Sequence, residues 1–221
     1  MKKLVIVGCG RLAGIVSDAV VNGLLPEYDL VGVYSRTAEK AERIVAKIQQ
    51  HGKTCMACTT IEDLLALKPD YLVEAASPAA MKELALPALK NGTSIVTLSI
   101  GALADTAFYQ EVIETAQANG TRVYIVSGAT GGFDVLRTAS LMGNATAKFF
   151  NEKGPNALKG TAVYDEALQT EQRVVFSGNA TKAIAMFPTK VNVAVAASLA
   201  SVGPENMQMS MQSTPGFVGD T

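Results

Sequence analysis

Neither sign of charge dominates this sequence of 221 residues: 19 basic side chains stand against 20 acidic ones, a net charge of -1. That balance leaves no basic face or polybasic tail for nucleic acid or an anionic membrane, so a small molecule is the expected partner. Long apolar runs are missing too. None approaches the ~20 residues a membrane span needs, and the strand that follows "MKK" leaves no separate apolar leader segment, so a cytoplasmic protein is expected. Cysteine is scarce and odd in number (Cys9, Cys55 and Cys58), which fits a reducing compartment and excludes a secreted disulfide scaffold. The stretch "HGKTCMAC" does bring His51 near two of these thiols. If residues 54–58 form a strand, however, side chains three apart point to opposite faces, and the pair does not easily share a metal or a disulfide. Histidine is scarcest of all, since His51 is the only one. What remains, 48% hydrophobic and 18% charged residues, is an ordinary globular composition, long enough for one large domain or two small ones.

Apolar periodicity divides the chain into two textures. "KLVIV" reads as a short buried strand, and "RLAGIVSDAVVNGLL" after it has helical spacing. The alternation continues with strand "DLVGVYS", helix "TAEKAERIVAKIQQ" capped by Thr37, strand "YLVEAA", helix "PAAMKELALPALKNG", strand "TSIVTLS", helix "ADTAFYQEVIETAQANG" and strand "TRVYIVS". Strands alternating with helices of about 10–15 residues predict an α/β domain with a parallel sheet, residues 1–127. Beyond it, "GATGGFDVLRTASLMGNA" is a glycine-rich entry to a helix. "ATAKFFN", "ALKGTAVYD" and "TEQRVVFSG" read as strands, "NATKAIAMF" and "VNVAVAASLA" as helices, and "ENMQMSMQS" as a strand with Met207, Met209 and Met211 on one side. Residues 128–221 are therefore expected to form a smaller α+β domain with a mixed or antiparallel sheet.

The first strand runs into "VGCGRLAG". Gly8 permits a tight turn, Gly10 allows a pyrophosphate close to the backbone, and Ala13 is small enough for helix and strand to pack closely. The helix N-terminus beyond, with Arg11 and Leu12 in its first turn, offers free amides and partial positive charge to the phosphates. A dinucleotide is the expected cofactor. The residue that reads its ribose belongs at the end of the second strand, where an Asp or Glu would accept bonds from the 2'-hydroxyl. Here that end reads "VYSRT", with no acid. Ser35, Arg36 and Thr37 instead offer hydroxyls and a guanidinium suited to a 2'-phosphate, so NADP is favoured over NAD.

In an open parallel sheet the carboxyl ends of the strands line the ligand crevice. "EAASP", with Ala76 and Ser77, "SIGALAD" and "SGATGG" should thus face the nicotinamide half. Glu74 is open to either a catalytic or a structural role. Asp105 and Asp134 fall at predicted helix starts, where capping or first-turn roles are the simpler explanation.

The motifs "IVGCGRLAG", "EAASP", "LSIGALAD", "SGATGGFDVLRTA" and "FSGNATKAIAMFPTKVNVAVAASLA", in this order along nearly the whole chain, resemble the L-aspartate dehydrogenase family. The resemblance implies a Rossmann domain followed by an α+β substrate and dimerisation domain. It also implies a homodimer that oxidises L-aspartate with NAD(P) to iminoaspartate, which yields oxaloacetate and ammonia or feeds NAD biosynthesis. Cofactor contacts carried over from the family fall on Ala129, through its backbone amide, and on Asn192. Lys190 departs from the family's asparagine at that position. It is read either as a contact to a substrate carboxylate, as a sign of a different substrate, or as a solvated cation. Lys182, Arg137 and Arg173 are further cations in the same half.

Removing a hydride from the substrate α-carbon calls for a base that deprotonates the amine, usually histidine. His51, at the end of the helix after the second strand, is poorly placed for that. In the family the catalytic histidine follows a turn resembling "GNTH", and "GDT" at 219–221 fits the residues just before it. The expectation is a chain that stops short of its catalytic histidine and of a segment returning to the first domain, leaving the methionine strand uncovered. Two alternatives remain: an NADP-dependent reductase of another imine or amino acid, and a dinucleotide-binding protein without catalysis.

Overall fold

The computed structural model describes residues 1–126, 128, 130–187 and 191–218. The chain divides into two compact units, Met1–Val126 and Ser127–Thr221.

The first unit begins with β1 (Lys2–Val7), α1 (Arg11–Val21), β2 (Tyr28–Tyr34), α2 (Ala38–Gln50), β3 (Met56–Cys58) and α3 (Ile61–Ala66). It continues through β4 (Tyr71–Glu74), α4 (Pro78–Lys90), β5 (Ser94–Thr97), a 3-10 turn at Ile100–Ala104, α5 (Thr106–Ala118) and β6 (Val123–Ile125). The six strands form one sheet in the order β3-β2-β1-β4-β5-β6, and every pair is parallel. β1 is buried on both faces from Leu4 to Val7, as a strand covered by helices on either side must be. Leu4, Ile6, Ala13, Val20, Leu30, Ile44 and Ile48 pack into one core that binds α1 and α2 to the sheet. α4 shows the same logic, burying Met81, Leu84, Ala85, Ala88 and Leu89 at helical spacing. It starts on Pro78 beneath the Ser77 cap and ends before Gly92, whose φ is 85°.

Sequence periodicity overlooked α3 and the 3-10 turn, which are too short to show a period. It also ran the first helix to Leu25, whereas α1 ends at Val21 with Asn22 as its cap. Thr37 does precede α2, but its side chain makes no cap bond; the Thr37 carbonyl instead accepts from Lys40 N at 3.1 Å.

The second unit comprises α6 (Phe133–Leu141), β7 (Lys148–Lys153), α7 (Pro155–Leu158), a 3-10 turn at Glu166–Gln169, β8 (Arg173–Asn179), α8 (Ala180–Met186), α9 (Asn192–Leu199) and β9 (Gln208–Ser213). Its sheet is mixed: in the order β7-β9-β8, the first pair is parallel and the second antiparallel. The strand expected in "ALKGTAVYD" is not formed. Pro155 opens a short helix, Gly160 turns the chain at φ 79°, and Thr161 Oγ1 donates to Leu158 O at 2.6 Å, leaving Leu158 as the buried anchor. The methionine strand is not uncovered either. Met207, Met209 and Met211 are 2%, 2% and 0% exposed, and Met207 packs against Ala180 of α8 and Ala197 of α9.

Candidate functional site

The order β3-β2-β1-β4-β5-β6 reverses direction between β1 and β4, and a crevice opens at the carboxyl ends of the strands at such a switch point. Gly8 sits there. Its N–H donates to Tyr34 O of β2 at 2.9 Å, while Ala75 N, just past β4, donates to Val7 O at 2.8 Å. The chain turns at Gly8 with φ 91°, and a Cβ added there would lie 2.7 Å from the Ala75 carbonyl and the Ala76 Cα. Only glycine meets both requirements. Gly10 then stands at the N-cap of α1, where a Cβ would meet nothing, so the space above it is open. α1 has neither a side-chain cap nor an acid in its first turn. Its orphan amides and positive dipole end are left for an anion.

A cleft of about 290 Å³ follows from this loop. It is lined by Gly8 and Gly10, by Ser35, Arg36, Thr37 and Lys40 from the end of β2 and the start of α2, and by Ala76, Ser77 and Glu83 from the end of β4 and α4. The structure thus gathers seven of the residues singled out from sequence (Gly8, Gly10, Ser35, Arg36, Thr37, Ala76 and Ser77) around one cavity. Arg11 and Leu12 do not line it; they are exposed on the first turn of α1. Ser35 Oγ accepts from Thr37 N at 3.3 Å, which fixes the bend from β2 into α2. Lys40 and Glu83 escaped the sequence reading. Lys40 lies in the first turn of α2, four residues after Arg36. Glu83 had no signal in the sequence, because only the packing of α4 brings it to this cleft.

Glu74 is the last residue of β4 and wholly buried. Its Oε1 accepts from Ala76 N at 2.8 Å, Ser77 N at 3.0 Å and Ser99 Oγ at 2.9 Å. Its Oε2 accepts from Thr97 Oγ1 at 2.9 Å and Ser99 N at 3.1 Å. Five donors saturate a group that can only accept, and no capacity is left for proton transfer to a ligand. The two roles left open for Glu74 are thus decided in favour of holding the chain. Asp105 and Asp134 take the simpler roles as well. Asp105 caps α5 by accepting from Phe108 N at 3.2 Å and pairs with Lys82 at 2.7 Å, and Lys82 holds its carboxyl below the usual range. Asp134 lies in the first turn of α6.

His51 is the exposed C-cap of α2, with Nδ1 2.9 Å from Lys47 O. The described residues contain no group of three or more His, Cys, Asp or Glu side chains that could hold a metal ion. All three cysteines are free and buried. Burial pushes the Cys9 thiol up to about 11 and the Cys55 thiol up to about 12, and it raises Cys58 as well. Thiolate is therefore scarce near neutrality. We expect a disulfide reagent at pH 8 to label none of the three within minutes in the folded protein, and all three once guanidinium unfolds it. One fast-reacting thiol in the native protein would contradict their buried placement.

In the second unit Asn192 is the first residue of α9 and half-buried. Arg173 pairs with Asp165, whose carboxyl it holds below the usual range. Arg137 and Lys182 are exposed. Ala129, Lys190 and residues 219–221 lie outside the described residues.

A glycine turn at the switch point of a parallel sheet, an uncapped helix N-terminus and a basic wall at the end of β2 define an NAD(P)-binding oxidoreductase domain. The model of the homoserine dehydrogenase NAD-binding domain matches residues 8–126, and that of the aspartate dehydrogenase C-terminal domain matches residues 134–221. The L-aspartate dehydrogenase of Methanococcus maripaludis is 30% identical over 213 residues, covering 95% of this chain and 78% of that relative. That of Methanocaldococcus jannaschii is 33% identical over 213 residues, covering 92% and 76%. The crystal structure of aspartate dehydrogenase from Thermotoga maritima superposes with a TM-score of 0.75 at 23% identity, over 100% of this chain and 82% of that one. The chain belongs to the L-aspartate dehydrogenase family.

Proposed function

We propose that this protein oxidises L-aspartate to iminoaspartate with NADP or NAD, and that NADP is the preferred cofactor. The observation that carries the proposal is the cleft between Gly8, Gly10 and the Arg36–Lys40 wall, in a chain of this family. Gly8, Gly10 and the α1 amides hold the pyrophosphate. Ser35, Arg36, Thr37 and Lys40 hold the adenosine ribose, and two cations against the single carboxylate of Glu83 favour a 2'-phosphate. Ala76 and Ser77, at the end of β4, face the nicotinamide half. Ala129 and Asn192 contact its carboxamide, and Lys190 is a candidate partner for a substrate carboxylate. Residues 1–127 serve the cofactor, and residues 128–221 the substrate and a homodimer contact.

Bound NAD(P) supplies the hydride acceptor. The protein must orient the aspartate α-carbon toward it and remove a proton from the substrate amine. His51, at the end of α2 with Nδ1 turned to Lys47 O, is not assigned that task. The product imine hydrolyses to oxaloacetate and ammonia or is consumed in NAD biosynthesis.

The test is aspartate-dependent formation of reduced cofactor at alkaline pH, together with titration of NADPH and NADH. We expect turnover with aspartate and NADPH binding at least about tenfold tighter than NADH, the value of one charge-assisted hydrogen bond. Cofactor binding without turnover would favour a non-catalytic dinucleotide-binding protein. Reduction of other imines but not iminoaspartate would favour a different reductase. Tighter NADH would overturn the cofactor preference.

A further inference from the structure

We infer that Glu74 is a positioning residue for the dinucleotide pyrophosphate, acting through the Ala75–Ser77 segment on which the Gly8 turn bears. The inference rests on reading the cleft as the cofactor site.

The mechanical chain is short. Gly8 approaches Ala75 and Ala76 so closely that a single added carbon would stand 2.7 Å from their backbone. The position of the glycine turn is therefore set by where that segment lies. Ala75 N is tied to Val7 O at 2.8 Å, and Ala76 N and Ser77 N to Glu74 Oε1 at 2.8 and 3.0 Å. Ser77 in turn caps α4 by accepting from Ala80 N at 3.2 Å, so the segment is clamped at both ends. Two of the five donors to Glu74, Thr97 Oγ1 and Ser99 Oγ, are hydroxyls from the end of β5 and the turn after it. One carboxylate thus locks the carboxyl ends of β4 and β5 together beside the phosphate loop. What the carboxylate secures here is three backbone amides, those of Ala76, Ser77 and Ser99, that have no regular strand partner.

The chemistry separates two substitutions. In Glu74→Gln the amide oxygen can take the place of Oε1 and keep Ala76 N and Ser77 N. The amide nitrogen then replaces Oε2, and Ser99 N still has Thr97 Oγ1 at 3.1 Å as acceptor. Glu74→Met has similar bulk and no acceptor of that strength, so the Ala75–Ser77 segment loses its tether and the Gly8 turn loses its support.

The experiment measures binding of ADP-ribose, which carries the pyrophosphate without the nicotinamide, by calorimetry at a temperature where circular dichroism shows each variant folded. Leu72→Ala, which opens a cavity in β4 away from the cleft, serves as the control for loss of stability alone. We expect Glu74→Met to bind at least about tenfold more weakly, from the loss of two charge-assisted hydrogen bonds that fix the loop, with Glu74→Gln and Leu72→Ala within about 1.5-fold of wild type. If Glu74→Met does not fold, Ser99→Ala, which removes one donor to Oε1, is expected to weaken ADP-ribose by about threefold with Leu72→Ala unchanged. Affinity unchanged in the folded Glu74→Met or Ser99→Ala variant, or lost equally in Leu72→Ala, would overturn the role of Glu74 alone. Failure of the wild-type chain to bind ADP-ribose would overturn the reading of the cleft itself, and this inference with it.

Discussion

Gly8→Ala is expected to weaken NADPH binding by at least about 30-fold and to lower the melting temperature by several degrees, because it sets a positive φ against a full backbone contact. The φ of 91° costs an L-residue of this kind roughly 1–2 kcal/mol. The added carbon would stand 2.7 Å from the Ala75 carbonyl and the Ala76 Cα, and overpacking of that sort costs about 1–3 kcal/mol. The atoms it meets are backbone, and they cannot swing aside as the end of a side chain can. Ala75 is bonded to Val7, and Ala76 to Glu74. Relief must come from the glycine turn itself, which moves toward the space the pyrophosphate needs. Gly14→Ala is the matched control. It lies inside α1, its φ is not positive and a Cβ there meets nothing, so the exchange should stabilise the protein by roughly 0.5–1 kcal/mol through helix propensity. Thermal denaturation and fluorescence titration of both variants check the pair. NADPH affinity within twofold of wild type in Gly8→Ala would refute the tight-turn account.

The second large effect concerns cofactor choice. Arg36→Glu should weaken NADPH by about 30- to 100-fold while changing NADH by less than about threefold, since a charge-assisted hydrogen bond of about 1.5–3 kcal/mol is replaced by repulsion. Arg36, Lys40 and Glu83, the last from α4, all line the cleft. Wild type therefore presents two cations and one anion to the ribose, whereas the variant presents one cation and two anions. Lys40→Ala should act in the same direction more weakly, because a lysine serves as a point charge without the planar fork of arginine. The NADPH affinity of wild type should also fall more steeply with salt than its NADH affinity. Equal losses for both cofactors in Arg36→Glu would mean that Arg36 stacks on the adenine and does not pair with a phosphate.

Much of the first unit is legible in the sequence. The alternation of β-branched runs with amphipathic helices is a local signal, and it yielded β1, β2, β4, β5 and β6 to within a few residues. The glycine loop was equally plain, because positive φ and close approach each demand glycine at a fixed place after a strand. Reading failed where an element was too short to show a period, as with α3. It failed again where one buried leucine and a glycine turn looked like alternation, as in residues 157–165. Thr37 occupies the predicted cap position, yet its hydroxyl does not cap. The bend at Ser35 is held instead by a bond to the Thr37 amide.

The sequence by itself determined the parallel sheet, the place of the glycine loop and the absence of an acid at the end of β2, since all three depend on residues a few positions apart. Only the tertiary structure decided that Lys40 and Glu83 line the same cleft as Gly8 and Arg36, that Met209 and Met211 of β9 are buried, and that Glu74 is a tether. Glu74 meets Ser99 across 25 positions of sequence, and Gly8 meets Ala75 across the joint between β1 and β4. Such contacts exist only once the strands are laid side by side. No local period or spacing encodes them, because what selects them is the register of β4 against its neighbours in the sheet.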